Sequence, residues 1–474
     1  MGMSRTRERL VIVGGDAAGM SAASQARRMK GPDELEIVAF ERGHFASFSA
    51  CGIPYWVGGD VSERDQLIAR TPEEHRERGI DLRMRTEVTE LDIAGSRVRA
   101  RDLESGTSGA SGTSGASGAE EWVSYDKLVI ATGARPIRPP LPGIDAPGVH
   151  GVQTLDDGQA LLDTLARTPG RRAVVVGAGY IGVEMAEALI NRGYEVTVVN
   201  RGKEPMSTLD PDMGRLVHEA MEGMGITMVN DAAVTKVLTG DDGRVGAVAT
   251  EDAEYPADVV VLGIGVRPET TLAQAAGLPL GDHEGLLTDQ AMRVRGYENI
   301  WAGGDCVEVL DLVSGRERHI ALGTHANKHG QVIGANAGGG YATFPGVVGT
   351  AVSKVCDLEI ARTGLREKDA RRAGLQYETV TIESTSRAGY YPNAAPMTVK
   401  MLAERRTGRL LGVQIVGREG AGKRVDIAAV ALTARMTVDE MTALDLGYAP
   451  PFSPVWDPIL VAARKAVGAV FLRR

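Results

Sequence analysis

The sequence predicts an α/β protein made of two Rossmann-like dinucleotide-binding domains and a C-terminal α+β domain. Three observations carry this expectation. LVIVGGDAAG (10–19) and AVVVGAGYIG (173–182) each run from a short β-branched strand through a Gly-rich turn into a helix-forming stretch. Each opening has a matching later strand, VSYDKLVIATGARP (123–136) and YPADVVVLGIGVRPE (255–269), so one plan occurs twice. From about residue 345 the pattern changes to alternating segments, with a hairpin centred in 396–417 and helical patterns at 424–435 and 437–444.

Taken in order, residues 1–150 form the first part of the first domain and 151–280 the second domain. Residues 281–344 return to the first domain, through the buried strand of GYENIWAGGDCVEV (296–309) and a helix over 321–339 with small residues on one face. Residues 345–474 make the third domain. The repeated GTSGAS at 106–117, within a Gly/Ser-rich insert at 104–119, is too polar to pack and reads as a solvent loop.

Composition narrows the function. A formal charge of −9 without a long basic run disfavours a nucleic-acid binder. The three cysteines, Cys51, Cys306 and Cys356, fit neither a disulfide framework nor a CxxC pair nor a zinc site, so no metal and a reducing, cytoplasmic setting are expected. No apolar run is long enough to span a membrane, and strand-like LVIV begins within ten residues, leaving no room for a signal peptide. The Met1–Thr6 start matches a myristoylation pattern only superficially. With 60 glycines against 6 Phe and 4 Trp, ligand sites built from backbone are the first to seek.

In the first motif Gly14 and Gly19 let the chain turn tightly against a pyrophosphate at a helix N-terminus, while Asp16 stands where a second glycine is usual. Glu41, ending the next strand, is placed to accept the hydroxyls of an adenosine ribose. The second motif keeps Gly177, Gly179 and Gly182. Its following strand ends in Asn200-Arg201-Gly202-Lys203, where a carboxylate would repel the 2′-phosphate of NADPH and these cations attract it. NADPH is favoured, with NADH held through ribose contacts as the alternative. Cys51, in SFSACGIPY (47–55) at an expected helix start, is a candidate thiolate nucleophile favoured by the helix dipole. Cys306 and Cys356 read as buried and inert.

The motifs GGDAAG, ERGHFASFSACGIPY, VIATGARP, GAGYIGVE, NIWAGGDC, ANKHG, GYYP and LGYAPPFSPVWDP together resemble the single-cysteine branch of the FAD-dependent pyridine nucleotide–disulfide oxidoreductases, closest to coenzyme A-disulfide reductases. Two-cysteine relatives carry CxxxxC, but residues 46 and 56 are Ala and Trp, so Cys51 must cycle with an external sulfur. The resemblance implies FAD on the first motif, with Arg42 beside the adenosine, Thr132 and Gly133 near the flavin, and Asp305 on the ribityl or phosphate region. It implies NAD(P)H on the second, with Glu184 near the nicotinamide and Gly265 allowing close approach. It also implies a homodimer, in which the C-terminal domain dimerises and brings Tyr390 and Tyr448 to the partner's active site, and a coenzyme A channel near Gln25, Arg28 and Ser47, helped by Arg76 or Arg78.

The function implied is electron transfer from NAD(P)H through FAD and Cys51 to coenzyme A disulfide or persulfide. Two alternatives stay open. One is an NAD(P)H oxidase or peroxidase cycling through a Cys51 sulfenic acid. The other is a flavin electron-transfer or redox-sensing protein with a protein partner.

Overall fold

The computed structural model describes residues 7–104 and 118–471, so the GTSGAS repeat and the Met1–Thr6 start lie outside the described residues. Glu8–Val13 is the central strand of a five-stranded parallel sheet in the order Ile300–Ala302, Lys127–Ile130, Glu8–Val13, Leu35–Phe40, Asp81–Arg83. Leu10, Val11 and Ile12 are all fully buried, which is why this strand reads as an unbroken apolar run. A second parallel sheet repeats the plan in the order Thr227–Val229, Glu195–Val199, Arg172–Val176, Val259–Leu262, Val149–His150.

Helix Ala17–Met29 covers the first sheet and is itself covered by helix Gly323–Ala337, whose small-residue face the sequence foretold. The two helices meet almost backbone to backbone. A Cβ at Gly330 would lie 2.4 Å from the Ala18 carbonyl oxygen, one at Gly334 2.4 Å from that of Ala22, and one at Gly338 2.5 Å from the Met29 Cβ. Those glycines stand four residues apart, one per turn, and no side chain fits between the helices at any of the three.

The C-terminal unit is a five-stranded antiparallel sheet in the order Ala351–Val355, Leu358–Gly364, Leu410–Gly417, Pro396–Glu404, Tyr377–Thr385. The expected hairpin is its Pro396–Glu404 and Leu410–Gly417 pair, and helix Ala421–Thr433 follows. The helix expected over 437–444 is a single turn, Val438–Met441, closed by a Thr437/Glu440 capping box. Helix Pro458–Phe471, not foreseen, packs its small apolar face on the sheet.

The three units are tied by specific contacts. The short strands Ala134–Pro136 and Val266–Pro268 pair across the two nucleotide-type units. Lys400, its side chain 3% exposed, donates to Asp212 and Glu367 at 2.7 Å each and lies 3.2 Å from Asp210. Asp210 in turn receives Gln414 Nε2 at 2.7 Å, so a buried cation on the C-terminal sheet is clamped by carboxylates of helix Pro211–Gly223 and its entry.

The helix pair yields the first prediction. Gly334→Val should lower stability by about 1–3 kcal/mol, because its Cβ meets backbone that cannot rotate away. Chemical denaturation followed by circular dichroism checks this, and an unchanged midpoint would mean the helices part easily.

Candidate active site

The first Gly-rich turn is shaped mainly by the protein itself. Gly14 has φ +114°, and a Cβ there would lie 2.1 Å from the Ala131 carbonyl oxygen; one at Gly19 would lie 1.9 Å from that of Gly14. In the second turn Gly177, at φ +96°, and Gly182 are confined in the same way. Gly179 differs, since the nearest protein atom to a Cβ there is 4.0 Å away. Nothing in the chain demands glycine at 179, so the bare cradle fits a group that comes from outside, as a pyrophosphate at a helix N-terminus would.

Asp16 occupies the matching place in the first turn. Its carboxylate turns to the loop before Cys51, accepting the Phe48 N–H at 3.2 Å, and burial raises its pKa to about 7. Glu41 accepts Gly15 N–H at 2.8 Å and Gly43 N–H at 2.6 Å, which fixes the carboxylate and leaves lone pairs for ribose hydroxyls. Arg42 is exposed, and its carbonyl takes a hydrogen bond from Arg85. The Thr132 hydroxyl donates to the Glu269 carbonyl, joining the two units beside Gly133, whose φ of +71° leaves open space where a side chain would be. Gly265, at φ +96°, is similarly open.

Asp305 follows the strand Ile300–Ala302, and its backbone carbonyl receives His319 Nε2 at 2.8 Å. Its carboxylate has no protein donor among the described residues, and burial raises its pKa. A desolvated acceptor without a donor fits the hydroxyls of an FAD ribityl chain.

Cys51 lies in the turn Ala50–Gly52 that leads into the six-residue helix Ile53–Gly58. It is exposed and free, but the expected thiolate is not favoured by the chain alone. Burial of its sulfur, with the negative charges of Glu184, Asp305 and Asp16, raises the thiol pKa and outweighs the short helix end. Glu184, on helix Tyr180–Asn191, accepts the Ser353 hydroxyl at 2.8 Å and is raised by burial to about 7. The structure thus gathers Cys51, Asp16, Asp305 and Glu184 around one point where both Gly-rich units meet.

Other expectations need correction. Cys306 is fully buried, but Cys356 is not: at φ +59° it sits half-exposed in the turn between Ala351–Val355 and Leu358–Gly364. Asn200 has its amide nitrogen engaged within the protein. Its Nδ2 is shared by the Gly202 and Glu204 carbonyls and by Asn230, bracing the loop on which Arg201 and Lys203 stand exposed without ion pairs among the described residues. Arg76 is spent on Glu73 and the Leu82 carbonyl.

The loop that leads into Cys51 borders, through Ser47, Phe48 and Ser49, a cavity of about 260 Å³ whose walls also include Arg28, Arg70 and His75. Arg28 hydrogen-bonds Gln25 at 2.5 Å, which lies behind the wall. Arg70, rather than Arg76 or Arg78, supplies the second cation; in sequence it reads only as a residue before the Thr71-Pro72 helix start. Tyr390 and Tyr448 hydrogen-bond each other, raising the Tyr448 phenol, and stand exposed on loops of the C-terminal unit with Phe452 and Trp456. They do not act on Cys51 of their own chain among the interactions described.

Two dinucleotide cradles converging on one unpaired thiol define a nucleotide-linked thiol oxidoreductase. The chain belongs to the pyridine nucleotide-disulphide oxidoreductase family, whose model matches residues 8–330, with that family's dimerisation domain matching 350–458. Members of the family depend on FAD and NAD(P)H. The chain is 37% identical over 98% of its length to the NAD(P)H sulfur oxidoreductase (CoA-dependent) of Pyrococcus abyssi, covering 99% of that protein. It is 34% identical to an NADH oxidase of Methanocaldococcus jannaschii, over 97% of this chain and 98% of that one. The solved NAD-dependent persulfide reductase from A. fulgidus superposes with a TM-score of 0.91 at 39% identity, covering 97% of this chain and 83% of that one.

The Asp16 environment has a measurable sign. A folded-state pKa raised to about 7 makes the native state hold a proton that the unfolded state has released, so stability falls as pH rises from about 4 to about 7 and is flat above. In flavin-stripped protein, Asp16→Asn should make that fall shallower, leaving the share that Glu184 and Asp305 contribute in the same sense. Thermal midpoints of the two proteins between pH 5 and 8 test it; parallel curves would place the proton elsewhere.

Proposed function

We propose that this chain is an NAD(P)H-dependent reductase of coenzyme A disulfide or coenzyme A persulfide, working as a cytoplasmic homodimer. The observation that carries the reading is the single exposed cysteine, set between two dinucleotide cradles and following a loop that borders a cavity carrying two arginines. FAD, when bound, accepts hydride from the nicotinamide and returns the electron pair to sulfur. In our reading Gly14, Asp16, Gly19, Glu41, Arg42, Thr132, Gly133 and Asp305 hold it, while Gly177, Gly179, Gly182, Glu184 and Gly265 face the nicotinamide nucleotide.

Cys51 attacks one sulfur of a coenzyme A disulfide, forming a mixed disulfide and releasing one thiol; the electron pair from NAD(P)H then cleaves the mixed disulfide and releases the second. With a persulfide, attack on the outer sulfur breaks its S–S bond, expels the coenzyme A thiolate and leaves a Cys51 persulfide, which the electron pair from NAD(P)H then cleaves to the Cys51 thiolate and sulfide. The raised pKa of Cys51 means that its proton must be taken at each attack. Arg28 and Arg70 suit the phosphates of the coenzyme. Tyr390 and Tyr448 of a second copy would donate to the departing thiolate, a role their exposure permits. The exposed Cys51 also suits the oxidase reading, in which it would cycle through a sulfenic acid.

Cys51→Ser separates these functions. The variant should keep FAD and its reduction by NAD(P)H in stopped-flow absorbance, yet lose turnover with coenzyme A disulfide and persulfide. Full disulfide turnover would refute the thiol mechanism. Oxygen consumption exceeding disulfide turnover in the wild type would favour the oxidase. For nucleotide choice, kcat/KM should favour NADPH, and Arg201→Glu should shift the preference toward NADH by about 1–3 kcal/mol. Indifference to that charge reversal would leave the ribose contacts as the determinant.

A further inference from the structure

Ser47 is held in a conformation its side chain does not favour. Its φ is +50°, in the left-handed region where glycine is easier, and its backbone is fixed there by Ser47 N–H to the Gly15 carbonyl at 3.2 Å and Ala69 N–H to the Ser47 carbonyl at 2.8 Å. The site keeps a hydroxyl where a glycine would relieve the strain. That hydroxyl lies 2.9 Å from Nε2 of His75, and both residues line the cavity that the loop before Cys51 borders.

His75 is 0% exposed, and its Nδ1 has no hydrogen-bond partner among the described residues. Burial and the positive charges of Arg70 and Arg78, opposed only by Glu74, hold its pKa down at about 4, so the ring is neutral near pH 7. A neutral imidazole carries its proton on one nitrogen. A buried N–H without an acceptor is rarer and costlier than a buried lone pair without a donor, which puts the proton on Nε2 rather than the orphaned Nδ1. Nε2–H then donates to Ser47 Oγ, and the Ser47 O–H is released to point elsewhere. The cavity is the open direction.

We propose that His75 is a positioning residue that turns the Ser47 hydroxyl into a hydrogen-bond donor toward the cavity, where it selects a ligand presenting an amide carbonyl, as the pantetheine arm of coenzyme A does. This rests on the coenzyme A reading of the cavity. A ligand that offered only donors would leave the Ser47 O–H without an acceptor.

Calorimetric titration of the FAD-loaded protein with coenzyme A tests the proposal, together with steady-state kinetics on coenzyme A disulfide. His75→Leu should weaken coenzyme A binding and raise KM for coenzyme A disulfide about three- to tenfold, the loss of one neutral hydrogen bond. Ferricyanide reduction, which needs no bound coenzyme, should stay near wild type, and so should kcat once coenzyme A disulfide is saturating. His75→Gln, whose amide nitrogen can reproduce the Nε2 donor, should restore most of the affinity. Ser47→Gly should lose affinity to the same extent, and the double variant Ser47→Gly/His75→Leu should lose no more than either alone. Additive losses, or an unaltered affinity in His75→Leu, would overturn the positioning role while leaving the coenzyme A reading intact. No binding of coenzyme A to the wild type would overturn both. A fall in kcat and ferricyanide rate together in every variant would mark His75 as merely structural, and would also count against the proposal.

Discussion

The close approach of helices Ala17–Met29 and Gly323–Ala337 is the constraint on which the site depends. Asp16 begins the first helix, and the loop carrying Asp305 leads toward the second. Only because Gly330, Gly334 and Gly338 let the backbones touch do two segments some 300 residues apart in sequence bring their carboxyls to the same sulfur. Gly304, at φ +86° with its Cβ position 3.1 Å from the Ala18 Cβ, continues the same contact toward the site. Had these positions carried ordinary side chains, the helices would separate by the thickness of a methyl layer and Asp305 would withdraw from Cys51.

What that packing assembles is electrostatically unfavourable by itself. Asp16, Asp305 and Glu184 are each desolvated, each raised in pKa, and they act together on Cys51. Asp305 has no donor among the described residues, and Asp16 has only backbone N–H groups, of Phe48 and Ala17. Such groups are retained when a bound partner completes them, and the hydroxyls of an FAD chain are donors of the kind these acceptors lack. Glu184 is different, since its bond to Ser353 comes from the C-terminal sheet, so the electrostatics around Cys51 depend on all three units.

Much of this was legible in the sequence, for identifiable reasons. Tight turns at Gly14, Gly177 and Gly182 need glycine and therefore leave a mark in the chain, and buried parallel strands leave unbroken runs of Val and Ile. The small-residue face of 321–339 was visible for the same reason. The state of Cys51 was not legible, because a helix-end argument uses neighbours in sequence, whereas the decisive charges arrive from residues 16, 184 and 305. His75 and Arg70 went unnoticed because neither stands in a motif; they reach the cavity only through the loop that pairs Phe48 with Ile68. Nor does anything in the sequence tell that Asn230 and two carbonyls will take up the Asn200 amide nitrogen at its strand end.

The Lys400 clamp bears on how far this architecture can be divided. A family boundary falls between residues 330 and 350, and it suggests that the two nucleotide-type units could be cut out as a portable electron-transfer module. A chain ending there would keep both parallel sheets. It would also leave Asp210, now 4% exposed, without Lys400 and Gln414, and Glu184 without Ser353. The cut would further uncover the apolar surface that Val355, Ile360 and Val416 share with the second nucleotide-type unit, a patch that invites association once bared. Shuffling of this module between proteins would therefore have to carry the C-terminal sheet along with it.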